Sequence, residues 1–433
     1  MSGIGVLLKY YRTQKKKTQT DLCMGICTPS YLSRIENNLI EADDEIYSLL
    51  FERLDLSYEK IIQDNCNLDQ RLEEWYKDMF FQKESKENIE ELKGLCMISS
   101  PDILIKFEIT YCRYLILTQD IELSLNKINS LRKLSIPAEN NRNYFLYVNV
   151  LLLYHFRVKE YSEALRIGIK ASNTDGFESL GKDYEVGAFY YNLALNYKNL
   201  YIYDKSRYYA EKALRLFLDN YYLELAIDCQ ILLGISFNNT GNWSDSLRSY
   251  LKAKRLLNYL PEKYHDTYLG MIENNIGYCY QRIGEYEKAI NYYSKSLIYK
   301  KDNEQLLTLI NLVHCHHLLG NSSKSKKLLI KSLGLRTASR PVNLSLQLDF
   351  MSLIILEDIL SLEEIIELEQ IFEELVKRNF QDAIIHYGET LAKLFEKYHH
   401  YKKAAKVYKS ILYTNKGNLS GNNPRIQRKT KYF

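Results

Sequence analysis

Asn192, Asn275 and Asn311 each stand directly before a large–small residue pair, at Leu193-Ala194, Ile276-Gly277 and Leu312-Val313. A carboxamide offers a donor and an acceptor together. A row of them on one helix face can therefore pair with the N–H and C=O groups of an extended peptide without reading its side chains. Amides sit in mid-helix at some cost in propensity, so their recurrence at one repeat position is informative. Asn149, Asn238, Asn239 and Asn274 are expected on the same inner face. Arg113, Lys198 and Arg282 would hold a peptide carboxylate there, and Tyr278, Gln281, Phe237 and His314 would supply pockets and polar contacts.

A second group lies near the N-terminus. Ser30, Tyr31, Ser33 and Arg34 fall at the start or on the exposed side of a short predicted helix, the position from which side chains reach base edges in a major groove. Gln19 begins the preceding helix, where an N-terminus suits a phosphate. Lys16, Lys17, Thr28 and Asn37 complete the expected DNA-contacting set.

Other candidates carry less. In His314-Cys315-His316-His317 only His314 and His317 share a helix face, two ligands where a metal centre needs more, so no metal is expected. No Gly-rich phosphate loop, His-Glu-x-x-His or Gly-x-Ser-x-Gly occurs, and no catalytic residue or cofactor is expected. Glu363-Glu364 and Glu373-Glu374 read as the solvated face of a charged helix.

The elements that must position these residues are helices. The chain has 433 residues with only 18 Gly and 6 Pro, too little turn punctuation for an all-β fold. Its 38 Tyr are an excess that composition alone does not explain. Eight scattered cysteines without a Cys-x-x-Cys, and an N-terminus without an apolar leader, predict a cytoplasmic protein with reduced thiols. The longest apolar stretch, Tyr144 to Phe156, is too short and polar to span a membrane.

Within the first sixty residues, helical periodicity covers 4–14. A short helix is expected from Gln19 to Ile26, capped by Thr18 with Asp21 three residues on, and a third from Pro29 to Asn37, capped by Thr28. A fourth starts near Asp43. Leu22, Ile26, Leu32 and Ile35 would form the core, with the small Cys23 at the crossing. Net charge is +4 over residues 1–40 and −6 over 41–64, so the basic side is confined to the segment that would meet phosphate.

The run Gln19-x-Asp21-Leu22-Cys23-x-Gly25-Ile26-Cys27-Thr28, continuing through Leu32-Ser33-Arg34-Ile35-Glu36-Asn37, resembles the Xre/Cro-type helix-turn-helix. More narrowly it resembles the variant in the PlcR and NprR regulators of Gram-positive bacteria, with Cys23 where that family usually has Ala.

Residues 70–412 repeat. In the clearest copy, Asn275-Ile276-Gly277-x-x-Tyr280 is followed by Gly284-x-Tyr286-x-x-Ala289-x-x-x-Tyr293, the tetratricopeptide spacing. Leu233-Gly234 with Gly241, Trp243 and Ala253, Leu193-Ala194 with Tyr203 and Ala213, and Leu391-Ala392 with Tyr401 and Ala404 align to it. The mean step is about 40 residues over about nine units, against 34 in the standard repeat. The expectation is an all-α chain: a helix-turn-helix domain over 1–64, a right-handed tetratricopeptide-like superhelical solenoid over 70–412, and a flexible basic tail over 413–433.

The head and the long repeats together resemble the RRNPP group (Rap, Rgg, NprR, PlcR, PrgX). The resemblance implies a cytoplasmic quorum-sensing transcription regulator. It would bind double-stranded operator DNA as a homodimer and a short signalling peptide in the repeat groove, with no membrane role. A Rap-like module that binds a response-regulator protein, and a phage arbitrium-type peptide receptor, share the architecture and stand as alternatives.

Overall fold

The computed structural model describes residues 4–420 apart from 38, 82–87, 98, 134–135, 137–140, 302–303, 336–340 and 358–359. Among them are twenty-two α-helices and no strand, and no helix is long and apolar enough to cross a membrane. The fold is all-α, a helix-turn-helix followed by tetratricopeptide-like repeats. The chain divides into two compact units, Met1–Lys182 and Asp183–Phe433.

The first unit opens with α1 (Ile4–Gln14), α2 (Gln19–Cys23), α3 (Pro29–Glu36), α4 (Asp44–Glu52) and α5 (Tyr58–Phe80). Thr18 and Asp21 form a reciprocal capping box at the start of α2, and Thr28 accepts the Tyr31 N–H at the start of α3. α2 ends at Cys23, short of the expected Ile26, because Gly25 turns the chain at φ +74°. Arg53 donates to the carbonyl oxygens of Leu22 and Met24 and so closes the frayed end of α2. Leu7, Leu8, Leu22, Cys23, Leu32, Ile35, Leu50, Phe51 and Leu54 form the head core, with Ile26 only partly buried against it. α5 begins in this core with Tyr58 and continues into the next with Leu68, Leu72 and Trp75, so one helix runs through both residue 64 and residue 70.

α6 (Ile89–Met97), α7 (Pro101–Leu117), α8 (Ile121–Arg132), α9 (Arg142–Arg157) and α10 (Tyr161–Ser172) complete the first unit. Half-buried Glu73 on α5 is held by Lys106 (2.9 Å), Arg142 (2.9 Å) and Lys182 (2.7 Å). Burial would raise the pKa of this carboxyl, but the three cations keep it well below the usual carboxylate range.

The second unit stacks six helix pairs. They are α11 (Asp183–Asn199) with α12 (Tyr203–Asp219), α13 (Leu223–Asn239) with α14 (Trp243–Leu257), and α15 (His265–Ile283) with α16 (Tyr286–Tyr299). Then come α17 (Gln305–Leu318) with α18 (Ser322–Gly334), α19 (Val342–Leu356) with α20 (Leu362–Lys377), and α21 (Gln381–Lys397) with α22 (Tyr401–Ser420). The turn inside a pair needs a left-handed residue: Gly241, Gly284 and Gly320 supply it without strain, whereas Tyr201 and His399 adopt it despite their side chains. α22 runs to Ser420, so the Asn- and Gly-containing stretch expected to be tail from residue 413 is helical that far; Arg425, Arg428, Lys429 and Lys431 lie outside the described residues.

The small residue of the repeat pair has a steric job. A Cβ at Gly234 would sit 2.6 Å from Tyr250 Cζ, and one at Gly277 2.8 Å from Tyr293 Cδ1, whereas a Cβ at Gly94 on α6 would meet nothing within 4 Å. Gly234→Ala is therefore expected to destabilise the fold by about 1–3 kcal/mol. Gly94→Ala is expected to stabilise it by about 0.5–1 kcal/mol through helix propensity. Thermal unfolding of the two variants checks this, and equal midpoints would contradict it.

Candidate functional site

Two places gather the residues singled out by sequence. The first is the outer face of α3. Ser30 and Arg34 are exposed there, and among the described residues the Arg34 guanidinium has no ion-pair or hydrogen-bond partner. Thr28 and Asn37 bracket the helix as caps, with the Asn37 amide donating to Ser33 O and accepting from Lys9 Nζ at 3.1 Å. Tyr31 is half-buried against the head core, and Ser33 is half-buried. Lys16 is exposed, at a positive φ of 54°.

Two expected phosphate contacts are already engaged. Lys17 Nζ donates to Arg53 O at 2.5 Å, and Gln19 Nε2 donates to Glu36 Oε2 at 2.7 Å. Glu36 is fully buried and also receives Arg12 in two-point contact, at 2.5 and 2.9 Å. That charge-assisted pair raises the Arg12 pKa and ties α1 to the C-terminal end of α3, behind the exposed face.

The second place is a cavity of about 390 Å³ in the second unit, lined by residues of α11, α13, α15, α17, α19 and α21. Lys198, Asn238, Asn239, Asn274, Asn275, Tyr278, Asn311 and His314 all line it. Asn275 and Asn311 are half-buried, and among the described residues their amides have no hydrogen-bond partner. Burial lowers the pKa of Lys198, and Asp382 pulls it partly back.

Five expected groove residues do not line this cavity, among them Phe237, whose ring lies 5.1 Å from the Arg207 guanidinium. Asn192 is half-buried, with its carbonyl accepting from Asn196 Nδ2 at 2.8 Å. Arg282 stands behind the wall, its Nη1 donating to Tyr278 OH at 3.4 Å and its guanidinium 5.7 Å from the Trp243 ring. Arg113 and Asn149 belong to the first unit. Arg113 is buried on the faces of Phe80 (3.8 Å) and Tyr76 (5.0 Å), and Asn149 donates to Phe145 O at 3.1 Å.

The far wall was not expected from sequence. Asn343 and Gln347 of α19 and Gln381, Asp382, His386 and Tyr387 of α21 face the same space. Asn343 and Gln347 stand four apart on one helix, and that spacing was the available signal. α21 had none, because it is placed by contacts remote in sequence. Tyr278 OH donates to Asp382 at 3.0 Å, Tyr201 OH donates to Asn379 O at 2.9 Å, and the rings of Tyr278 and His386 stack at 5.8 Å. His314 packs edge-on to His386 at 5.1 Å and bonds Gln281 at 3.0 Å. Among the described residues no group of three or more His, Cys, Asp or Glu side chains could hold a metal ion.

Comparison with known proteins gives matches at both places. A helix-turn-helix family model matches residues 8–61 and a tetratricopeptide-repeat model matches 274–306. The chain is 30% identical over 399 residues, 89% of its length and 96% of the relative's, to the transcriptional activator NprA of Geobacillus stearothermophilus. Its fold is similar to the apo form of the quorum sensor NprR from B. thuringiensis (TM-score 0.65, 19% identity, 80% of this chain and 98% of that one). It is also similar to NprR in complex with its cognate peptide NprX (TM-score 0.58, 21% identity, 80% and 98%).

The two cavity histidines set a pH dependence. Burial pushes His314 well below the ordinary imidazole value, and neighbouring His386 and His317 push it further. Burial lowers His386 as well, with Arg282 adding to this while the Asp382 carbonyl and carboxylate oppose it. Their neutral forms stabilise the fold fully above the unfolded pKa of about 6.5, and that contribution is lost as pH falls below it. The contribution of these two histidines is expected to drop between about pH 7 and pH 5.5, by up to about 1.4 kcal/mol per pH unit for each imidazole held neutral, against an opposite contribution from Asp228, whose carboxyl burial pushes up to about 7. His386→Phe should flatten the dependence in denaturant titrations; an unchanged slope would contradict it.

Proposed function

The chain belongs to the RRNPP-type family of peptide-sensing regulators, in the company of NprA and NprR, and on that premise we propose that it is a transcription regulator gated by a short peptide. The observation that carries the reading is the convergence of nine residues expected on the inner helix face, Gln281 among them, on one amide-rich cavity. The carboxamides suit a peptide, whose backbone N–H and C=O groups can pair with them whatever its side chains. NprR, a protein of the same fold, is known with its peptide NprX, which supports the same ligand class here.

The α3 face supports the other half. Ser30 and Arg34 are free to meet base edges, while the engaged Lys17 and Gln19 hold the helix frame. A dimer placing two such helices in successive major grooves would read an operator with two-fold symmetry. Ligand and DNA are then linked by a coupling free energy, so each alters the other's affinity by the same factor.

The test uses the full chain, a library of genomic DNA fragments and a pool of seven-residue peptides. Arg34→Ala should weaken binding to the selected fragments by about 5- to 100-fold, the worth of one base contact, at constant salt. Asn275→Ala with Asn311→Ala should weaken captured peptides by at least about tenfold and leave DNA binding without peptide unchanged. Unchanged DNA selection in Arg34→Ala removes the head assignment, and unchanged peptide affinity in the double variant removes the cavity assignment.

A further inference from the structure

Two chains of buried hydrogen bonds reach the cavity wall from outside it. In the first, Lys300 Nζ donates to Thr308 Oγ1 at 2.9 Å, and Thr308 Oγ1 donates to Asn274 Oδ1 at 2.8 Å. An ammonium can only donate, so the threonine oxygen accepts from it, and its single proton goes to the asparagine. Thr308 is fully buried, which removes water as an alternative acceptor. The Asn274 oxygen is thereby occupied, and its NH₂ group is the end left for the cavity.

In the second chain, Tyr293 OH donates to Gln281 Oε1 at 2.6 Å, and Gln281 Nε2 bonds His314 Nδ1 at 3.0 Å. The 2.6 Å separation is that of an O–H···O bond and shorter than an ordinary N–H···O bond, which orients the Gln281 amide with its oxygen toward Tyr293. Its NH₂ group must then donate to His314 Nδ1. A neutral imidazole that accepts at Nδ1 carries its proton on Nε2. Burial keeps His314 neutral. Asn274 and His314 both line the cavity, and Asn274 Nδ2 and His314 Nε2 are the donors these two relays leave to face it.

We propose that Lys300, Thr308 and Tyr293, none of which lines the cavity, are positioning residues that fix one wall as a hydrogen-bond donor edge and thereby select a ligand that sets carbonyl or carboxylate oxygens against Asn274 and His314. The selection rests on the reading of the cavity as a peptide site. Without the relays, Asn274 and Gln281 could turn their amides end for end, and the wall would present mixed donors and acceptors.

The tautomer is tested without any ligand. In the full chain labelled with 15N-histidine, His314, assigned by the loss of its peaks in His314→Gln, is expected as the Nε2–H form at neutral pH. Tyr293→Phe should convert it to a mixture of tautomers. A His314 proton on Nδ1 in the unsubstituted chain overturns the second relay, whether or not the variant folds.

Selection is tested with peptides captured by the unsubstituted chain from a random heptapeptide pool bearing free carboxylates. Thr308→Val should weaken the captured peptides about 5- to 10-fold, the worth of one directed hydrogen bond, and Thr308→Ser, which keeps the hydroxyl, should restore them. Equal affinities in the Val and Ser variants overturn the first relay. A pool from which the unsubstituted chain captures nothing overturns the peptide reading and the selection with it, while the tautomer result decides the second relay independently.

Discussion

The missing side chains at Gly234 and Gly277 govern the second unit. Each lets the aromatic ring of the partner helix lie against the backbone of the inner helix, Tyr250 on Gly234 and Tyr293 on Gly277. Both rings are fully buried, so they contribute core packing in the ordinary way. They also have polar ends, and the close approach decides where those ends go. Tyr250 reaches the cavity, and Tyr293 reaches Gln281 in its wall. The contact that sets the spacing of the repeat therefore also sets the polarity of the site. Part of the tyrosine excess follows from this: phenylalanine would fill the same space over glycine but would leave Gln281 undirected.

A stack of helix pairs becomes a cavity only when its later members come round to face its earlier ones. Tyr201 bonds the backbone of Asn379, 178 residues away, and Tyr278 bonds Asp382, 104 residues away. Tyr201 and Asn379 are both left-handed turn residues, at φ 63° and 58°. A tyrosine in that region is strained, and its hydrogen bond to Asn379 helps to hold it there. Repeat spacing predicts the inner helices one by one but contains no term for this return. Hence Lys198, Asn275 and Asn311 were legible in the sequence, whereas Asp382, His386 and Tyr387 were not. The assumption of a single continuous groove also drew in Arg113 and Asn149, which pack in the first unit.

The head was more legible because its signals are local. Thr18 with Asp21, and Thr28 before Pro29, are caps whose chemistry acts within one turn, and they form as expected. What local reading could not supply was the role of the last residue in Leu32-Ser33-Arg34-Ile35-Glu36. Glu36 is not a surface acid but the buried anchor for Arg12 and Gln19. Breaking such a pair leaves an uncompensated charge in the core, so the motif records a structural need alongside any contact with DNA. Gln19, read as a phosphate ligand from its place at a helix N-terminus, spends its amide on the same carboxylate.

The cavity combines many carboxamides, two imidazoles whose charged forms burial disfavours, one lysine whose charge burial also disfavours, and one carboxylate, Asp382, of opposite sign. Long-range electrostatics would then discriminate weakly among ligands, because little net charge faces the space. Discrimination falls to hydrogen-bond polarity, which acts over one bond length and depends on which end of each amide faces inward. Such a wall is specific only if its amides are held, and holding them takes groups placed behind it. Lys300 and Tyr293 occupy that position, on the helix side rather than the ligand side. A site of this kind can change its preferred ligand through residues that never touch the ligand, by turning an amide rather than by replacing one.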